Sequence, residues 1–256
     1  MGIITLCTDF GNKDPYVGIM KGVILSIDPA ARIVDITHEI EAQEIRETAF
    51  VLEDYRTWFP AGTVHVVVVD PTVGSSRRPV VVSRDKQFFV GPDNGVFSFL
   101  ADGRSEVHLI ENRDYMRDEI SFTFHGRDIF SPVAAHLSRG TALPGIGTIL
   151  SDPVVLNDIY PVAAGDTLTG DIVRFDHFGN AITNIHSRQF LSFVKARPYR
   201  ISVNEMSFTA LSQSYYENET VCLTGSSGYI EFGLFRGNFR ESTGARKRDP
   251  AVVTIQ

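Results

Sequence analysis

The sequence predicts two domains, an α/β domain followed by a small all-β domain, and three observations support this. Strand-like and helix-like patterns alternate along the first part of the chain. The candidate strands there are largely apolar on both faces, as is typical of a parallel sheet covered by helices. Later in the chain, short strand-like runs follow one another closely. We therefore expect an α/β N-terminal domain with a mainly parallel central sheet over residues 1–155, and a barrel-like all-β C-terminal domain over residues 165–256.

The elements of the first domain follow from apolar periodicity and from the turn residues that bound each run. Strands are expected at residues 3–7, 32–36, 63–69, 80–83, 87–90 and 107–110. Helices are expected at residues 15–27, 44–59, 96–100 and 129–139. Asp14 is the expected N-cap of the first helix, with Pro15 at its first helical position.

The second domain is expected to consist of strands alone. They are predicted at residues 170–175, 181–185, 199–203, 207–210, 220–223, 229–234 and 251–255, and no convincing helical pattern interrupts them. A weakly patterned stretch that holds Pro144, Pro153 and Pro161 is interpreted as the connection between the domains.

The composition predicts a globular protein that binds neither nucleic acid nor a membrane. The chain has 256 residues, 43% of them hydrophobic, and a net charge of −7. Its densest basic cluster, Arg246-Lys247-Arg248, is too short for a nucleic-acid patch. No signal-peptide pattern or apolar stretch of membrane length is present. Two isolated cysteines, Cys7 and Cys222, form no disulfide framework and indicate a reducing, cytoplasmic location.

Three aspartates stand where predicted strands end. Asp9 follows the first strand, Asp70 ends the run of four valines at residues 66–69, and Asp93 follows the strand at 87–90. A single aspartate in such a position is usually a cap or part of a turn. Three of them favour a shared polar site, because chemistry in α/β proteins gathers beyond the carboxyl ends of the strands.

A second dense polar segment is Phe-His-Gly-Arg-Asp at residues 124–128. It places His125 in a turn rather than on a core face, and Gly126 allows the backbone to approach a ligand closely. Asp128 is either part of this site or simply the cap of the next helix.

The second domain has two polar turns of its own. Asp176 and Asn180 lie in a turn that is either purely structural or a polar rim for a nucleobase or an amino-acid group. Ser226 and Ser227 lie in a glycine-rich turn whose amides could face a ligand.

The motifs of several common enzyme classes are missing. The chain has no P-loop, no GxSxG elbow, no HExxH helix and no GxGxxG fingerprint. The histidines show no metal-ligand spacing. The carboxylates of four aspartates could hold Mg²⁺ for phosphate chemistry, since hard cations favour oxygen ligands: Asp9, Asp70, Asp93 and Asp128.

Taken together, these segments resemble one family over nearly the whole chain. They are TDFG at 8–11, DPYVG at 14–18, MKG at 20–22, DITH at 35–38, VDP at 69–71, GPDNG at 91–95, FHGRD at 124–128 and DHFGN at 176–180. In this order they resemble the S-adenosyl-L-methionine (SAM) hydroxide adenosyltransferases, which are adenosine-forming SAM hydrolases related to the fluorinases and chlorinases.

The resemblance implies hydrolysis of SAM to adenosine and L-methionine by water that attacks C5′ of the ribose. It implies that Asp70, Arg77 and His125 handle this water, with Arg77 favoured over Arg78 by spacing. Substrate contacts are implied at Asp9, Gly126, Asp176, Asn180, Ser226 and Ser227. SAM is then the substrate, and neither a metal nor another cofactor is expected. A homotrimer is implied, with SAM bound between the first domain of one subunit and the second domain of its neighbour.

Physical chemistry leaves the proton acceptor open and disfavours halide as the nucleophile. An ionised Asp70 or a neutral His125 could take the proton from the water. The halogenating relatives carry a neutral side chain where Asp70 stands. A carboxylate there would repel a desolvated halide by about 4 kcal/mol at 4 Å and intermediate dielectric.

Three positions depart from the family pattern. Thr72 stands where a glycine is usual, Gly225 replaces an asparagine and Phe239 replaces a small residue. These departures put the methionine and adenine contacts in question. The alternatives that stay open are a SAM- or adenosine-binding protein with little turnover, a halide-dependent SAM halogenase and a Mg²⁺-dependent phosphoester hydrolase.

Overall fold

A computed structural model describes residues 2–256, which divide into two compact units. The first unit extends to Leu156, and the second runs from Asn157 to Gln256.

The first unit alternates strands and helices. Its strands are β1 (Ile3–Thr8), β2 (Arg32–Thr37), β3 (Val64–Val68), β4 (Pro79–Arg84), β5 (Gln87–Pro92) and β6 (Glu106–Leu109). Its α-helices are α1 (Tyr16–Ile27), α2 (Ile45–Arg56), α3 (Ser131–Ser138) and α4 (Leu143–Ile146). Short 3₁₀ turns lie at Ser98–Leu100 and Arg113–Tyr115, and a π-helical turn at Gly126–Phe130 leads into α3.

The strands form one six-stranded sheet in the order β2-β1-β3-β5-β4-β6. The pairs β1–β2, β1–β3 and β3–β5 are parallel, whereas β4 is antiparallel to both β5 and β6. The predicted α/β domain with a mainly parallel sheet is thereby confirmed. The carboxyl ends of β1, β3 and β5 consequently lie side by side at one edge.

Both faces of this sheet are buried, because successive side chains of a strand point to opposite faces. Leu6 and Val66 pack with residues of α1 and α3 in one apolar cluster. Cys7 and Val67 belong to a second cluster, which also contains Leu52 of α2. The sheet therefore has a helical layer on each side, which explains its nearly continuous apolar strands.

The second unit is built on antiparallel strands. They are β7 (Val162–Ala164), β8 (Thr167–Phe175), β9 (Ala181–His186), β10 (Tyr199–Val203), β11 (Met206–Phe208), β12 (Thr220–Thr224), β13 (Tyr229–Leu234) and β14 (Pro250–Ile255). Their order is β11-β10-β14-β8-β9-β13-β12, with β7 paired to β8. This nearly barrel-shaped antiparallel sheet confirms the predicted barrel-like class.

The prediction that no helix interrupts the second domain is wrong. Two short helices are present, α5 (Ser187–Val194) and α6 (Phe239–Thr243). In α5 only Phe190 and Val194 are buried, and the His186 ring accepts a hydrogen bond from the Arg188 amide at 3.1 Å. Two helical turns are too short for a 3.6-residue period to stand out in a sequence.

The expected cap of α1 is also wrong. The helix begins at Tyr16, and Asp14 makes no capping hydrogen bond. The carbonyl of Pro15 accepts the Ile19 amide at 2.9 Å, so Pro15 occupies the capping position itself. The first helical bond thus starts one residue later than proline preference suggests.

Two further expectations concerned membrane-spanning segments and the two cysteines. None of the helices within residues 2–256 combines the length and the apolar character needed to cross a membrane. Cys7 and Cys222 are both buried free thiols.

Candidate active site

Three aspartates follow neighbouring parallel strands at one edge of the first sheet. Asp9 follows β1, Asp70 comes two residues after β3, and Asp93 follows β5. The strand order brings them to the same edge, as the sequence predicts. Each carboxylate nevertheless has its own partner, so they do not form one cluster.

Asp70 belongs to a nearly buried network with Arg77 and His125. The Arg77 guanidinium donates to Asp70 Oδ2 from both Nε, at 2.8 Å, and Nη2. The same Nη2 lies 2.6 Å from His125 Nδ1. The side chains of Asp70 and Arg77 are only 4% and 7% exposed. The structure thus brings together the three residues that, according to the family resemblance, handle the attacking water.

The contact between Arg77 and His125 determines the state of the imidazole. A guanidinium has donors and no acceptor, so Nδ1 of His125 must accept this hydrogen bond through its lone pair. The ring is therefore neutral and carries its proton on Nε2. Burial, and next the positive charge of Arg77, lower the pKa of His125 below its usual value of 6.5, which favours this neutral form.

The second carboxylate oxygen of Asp70 has few partners. Its Oδ1 has only the Thr72 hydroxyl, at 3.5 Å, among the partners found within residues 2–256. Arg77 Nη1 is buried and has no hydrogen-bond partner in the same part of the chain. The network thus retains one free acceptor and one free donor, which suits the binding of a water molecule.

A turn at Gly74 positions the segment of Arg77 next to that of His125. Gly74 has φ of +79°, and its backbone packs so closely on the carbonyl of Phe122 that an added Cβ would collide with it. Glycine is needed here both for the positive φ and for this approach. The segment that holds Asp70 and Arg77 is therefore docked on the segment that holds His125.

Arg78, the competing arginine, lies outside this network. It donates to Asp93 Oδ2 at 2.8 Å and to Asp152 Oδ1 at 2.8 Å. The other oxygen of Asp93 accepts the Val154 amide at 2.8 Å. Asp93 and Arg78 therefore tie the strand edge to the segment around residues 152–154.

Asp128 is a structural anchor rather than the cap of α3. It is fully buried within the π-helical turn and accepts two hydrogen bonds from Arg127, at 2.6 and 2.9 Å. It also accepts the Ser121 amide at 2.9 Å. These bonds hold the turn that presents His125 and Gly126, and hydrogen bonding to Arg127 lowers the pKa of Asp128 against the opposing effect of its burial.

The loop around Asp9 is held by the segment that follows β2. Asp9 Oδ2 accepts the Gln43 amide at 2.9 Å, where Gln43 adopts a positive φ of 70°. Thr8 is bound to the buried His38 ring at 2.9 Å, and the His38 carbonyl accepts the Gly11 amide at 2.7 Å. Among the described residues, the other carboxylate oxygen of Asp9 accepts no hydrogen bond.

In the second unit, Asp176 makes the bonds of a structural turn. Its Oδ1 accepts the amides of Phe178 and Asn180 at 2.9 and 2.8 Å, and its Oδ2 accepts Asn180 Nδ2 at 2.8 Å. This turn presents Phe178 with 71% of its surface exposed. An exposed ring on a rigid turn offers a face for stacking a flat base, a feature that the sequence analysis missed although Phe178 lies inside its motif.

Two departures from the family pattern have a structural explanation in this unit. A side chain at Gly225, next to Ser226 and Ser227, would collide with the buried carboxylate of Glu231, so glycine leaves room for that group. Phe239 is fully buried and stacks on Phe232 with ring centroids 6.0 Å apart. It fills the core rather than lining a surface where adenine could bind.

The four aspartates considered for Mg²⁺ are separated by their partners. Within residues 2–256, no group of three or more His, Cys, Asp or Glu side chains is placed to hold a metal ion. Asp70 and Asp128 are paired with arginines, as is Asp93, and Asp9 bonds an amide.

Three aromatic side chains of the first unit, Phe10, Tyr16 and Phe124, were not predicted as site residues. They contact one another at centroid distances of 5.4 to 6.0 Å. Phe10 adjoins Asp9 and Phe124 adjoins His125, so their positions within the motifs were the available signal.

Comparisons with known proteins identify the family of the chain. Residues 4–147 match the model of the SAM hydroxide adenosyltransferase N-terminal domain, and residues 170–252 match that of the C-terminal domain. The chain is 34% identical to an (R)-S-adenosyl-L-methionine hydrolase of Thermus thermophilus, over 95% of this chain and 96% of that protein. It is 30% identical to a fluorinase of an Actinoplanes species over 72% of each. A crystal structure of an uncharacterized conserved protein from Thermotoga maritima superposes with a TM-score of 0.89 at 35% identity, covering 99% of this chain and 100% of that one.

Proposed function

The chain belongs to the SAM hydroxide adenosyltransferase family, and we propose that it hydrolyses SAM to adenosine and L-methionine. The names of its hydrolase relatives specify the R configuration at sulfur. We extend that preference to this chain. The observation that carries the proposal is the network of Asp70, Arg77 and His125, in which a carboxylate with one free oxygen is held beside a neutral imidazole.

The reaction needs an oriented nucleophile more than an acid. Water forms a bond to C5′ of the ribose while the C5′–S bond breaks, and its electron pair stays on sulfur. Because the leaving group departs as the neutral thioether methionine, no proton has to be delivered to it. Holding water in line in a partly dry pocket supplies several kcal/mol, on the order of 7–11 at best.

In this proposal Asp70, and not His125, accepts the proton of the water. His125 Nδ1 is occupied by Arg77, and its other nitrogen carries a proton, so the ring has no lone pair for the water. Asp70 Oδ1 retains its acceptor capacity because Arg77 binds the other oxygen. Arg77 then orients the carboxylate through its hydrogen bonds to Oδ2, and His125 holds the guanidinium in place.

The same carboxylate disfavours halide as the nucleophile. Fluorinases are among the relatives, at 28% and 30% identity, compared with 34% and 37% for two of the hydrolases. A halide at the water position would meet the negative charge of Asp70 in a site where both side chains of the ion pair are nearly buried. We therefore expect adenosine, and not a 5′-halo nucleoside, even in concentrated chloride.

Substrate contacts form the second part of the proposal. Asp9 would bind the ribose hydroxyls, Gly126 would let the backbone approach the ligand, and Asp176 with Asn180 would meet the adenine or the amino-acid group. Ser226 and Ser227 would add contacts from the second domain. We also propose the homotrimer that the family resemblance implies, in which a neighbouring subunit's second domain completes each site. SAM is the proposed substrate, without a metal or another cofactor, in the cytoplasm.

The test is incubation of the purified protein with each sulfur epimer of SAM, followed by chromatography of the nucleosides. We expect adenosine from the R epimer, with equal yields in the presence and absence of EDTA and of chloride. A 5′-halo nucleoside as the main product would favour the halogenase. Tight SAM binding without product over hours would favour a binding protein, and loss of activity in EDTA would favour the Mg²⁺-dependent hydrolase.

A further inference from the structure

Three aromatic side chains at the edge of the active site have no part in the water network. The rings of Phe10, Tyr16 and Phe124 lie with centroids 6.0, 6.0 and 5.4 Å apart, and their planes meet at 69°, 74° and 78°. The three rings are thus almost mutually perpendicular. We call this set the aromatic corner.

The aromatic corner opens onto a cavity of about 380 Å³. All three rings line it, together with Ser121, Thr123 and Arg127. Tyr16 is 46% exposed, so the cavity is not enclosed within the hydrophobic core. The rings of Phe10 and Phe124 also lie within 3.5 Å of the position that a Cβ on Gly126, the neighbour of His125, would take.

The electrostatics of this cavity favour a poorly hydrated cation. Aromatic faces are negative, and rings that enclose a cavity at right angles are the arrangement with which proteins bind quaternary ammonium groups. The Arg127 guanidinium already lies over the Phe124 ring, 5.2 Å from its centroid. Asp128 pairs with this guanidinium at 2.6 and 2.9 Å and also lies 3.5 Å from Arg117, so it offsets the positive charge of Arg127 in part.

We propose that the aromatic corner binds the sulfonium centre of SAM and makes the protein prefer the charged substrate to neutral thioethers. This rests on the proposed function. A sulfonium carries three carbon substituents and no hydrogen-bond donor, so polar side chains cannot bind it as they bind an ammonium group, whereas ring faces can. The attraction disappears when the C5′–S bond breaks and methionine becomes a neutral thioether, which favours its release.

The experiment compares SAM with S-adenosyl-L-homocysteine, which lacks the S-methyl group and the charge. Calorimetry in an Asp70→Asn background measures both dissociation constants while turnover is suppressed. Tyr16→Leu and Phe10→Leu each remove one ring of the aromatic corner. Tyr16→Phe keeps the ring without the hydroxyl, and Trp58→Leu removes an aromatic ring that is 82% exposed elsewhere on the first unit.

We expect SAM to bind more tightly than the thioether, and each leucine variant to lower that preference by roughly 3- to 10-fold. Loss of apolar contact weakens the binding of both ligands alike. The ratio of the two dissociation constants therefore isolates the effect of the charge. Tyr16→Phe and Trp58→Leu should leave the ratio unchanged. The proposal is overturned if both leucine variants bind SAM and the thioether more weakly by the same factor, or if they bind neither ligand.

Adenosine formation by the unmodified protein is measured separately. A protein that prefers SAM through these rings but forms no adenosine retains the aromatic corner proposal and refutes the hydrolase. A protein that forms adenosine and binds the thioether as tightly as SAM refutes the aromatic corner alone.

Discussion

The chemistry proposed for Asp70 depends on which of its oxygens is free. Arg77 binds Oδ2 twice, whereas Oδ1 has only the distant Thr72 hydroxyl within the described residues. A carboxylate held by one edge in this way is fixed in orientation and still able to accept a proton from water.

Replacement of Asp70 by asparagine should remove the group that accepts the proton of the water, with little change in the shape of the side chain. We expect turnover of Asp70→Asn to fall by roughly 10²- to 10⁴-fold, with SAM affinity changed by no more than about threefold. Single-turnover kinetics and calorimetry separate the two effects. Asp93→Asn is the matched control, because Asp93 ends the neighbouring strand but pairs with Arg78. It should lower stability and spare the chemical step; near-native turnover in Asp70→Asn would refute the assignment.

The pH profile should report the neutral state of His125. Its pKa lies below 6.5, chiefly because the ring is buried and next because Arg77 is close. As pH falls through this lowered pKa, Nδ1 gains a proton and can no longer accept from Arg77. We expect kcat/KM to fall on the acid side with a midpoint below 6.5.

His125→Asn supplies an acceptor near the Nδ1 position that does not titrate. Its kcat/KM should be lower at neutral pH by roughly tenfold but should hold its value to more acid pH than that of the unmodified protein. An unchanged acid limb in His125→Asn would mean that another group sets it.

At the scale of elements, two segments far apart in the chain must dock for the network to form. Residues 70–77 extend from β3, and residues 121–125 precede the π-helical turn. The backbone of Gly74 packs against the Phe122 carbonyl, with no room for a Cβ between them. The π-helical turn itself is held by Asp128, which binds both Arg127 and the Ser121 amide. The catalytic geometry is therefore a property of two docked loops rather than of one motif.

Gly74→Ala tests this docking. The added methyl group would push the loop off residue 122 and separate Arg77 from His125, so we expect turnover to fall by roughly 10- to 100-fold. Gly62→Ala is a matched control, because Gly62 also has a positive φ, +86°, but an added Cβ would have nothing within 4 Å. Both variants should lose about 1 kcal/mol of unfolding free energy from backbone strain, and only Gly74→Ala should lose turnover. Equal activity of the two variants would contradict the role of this contact.

At the scale of the whole molecule, acid should destabilise the fold through a buried histidine. His65 lies on the central strand β3, bonded to Thr5 at 2.8 Å and stacked on Phe89 with centroids 4.8 Å apart. Burial lowers the pKa of His65 from 6.5 to about 4. The unfolded chain therefore binds a proton more readily than the folded one between these two values, and stability falls as pH drops through this interval.

The expected loss from this group is about 2.5 kcal/mol of unfolding free energy between pH 7.5 and pH 4.5. Urea denaturation followed by circular dichroism at the two pH values measures it. His65→Asn, whose amide can still hydrogen-bond Thr5 but does not titrate, should be less stable at pH 7.5 and show a smaller change with pH. If the variant loses as much stability on acidification as the parent, other groups cause the acid sensitivity.

Much of the architecture was readable from local patterns because the patterns were strong. Apolar β-branched runs and amphipathic stretches located most strands and helices of the first domain to within a few residues. The helix α5 was missed because two turns bury only Phe190 and Val194. The start of α1 shifted because Pro15 supplies the first helical carbonyl itself.

The sequence by itself determined the two fold classes, the family resemblance and the order of polar motifs along parallel strands, since each of these depends on residues close together in the chain. Only the tertiary structure decided which arginine meets Asp70, which nitrogen of His125 carries the proton and which aromatic rings share a cavity. Arg77 and Arg78 are adjacent in sequence but have different partners: Arg77 contacts His125, and Arg78 binds Asp93. That division depends on how a loop packs on a segment 48 residues further along, and local sequence preferences carry no information about such a contact.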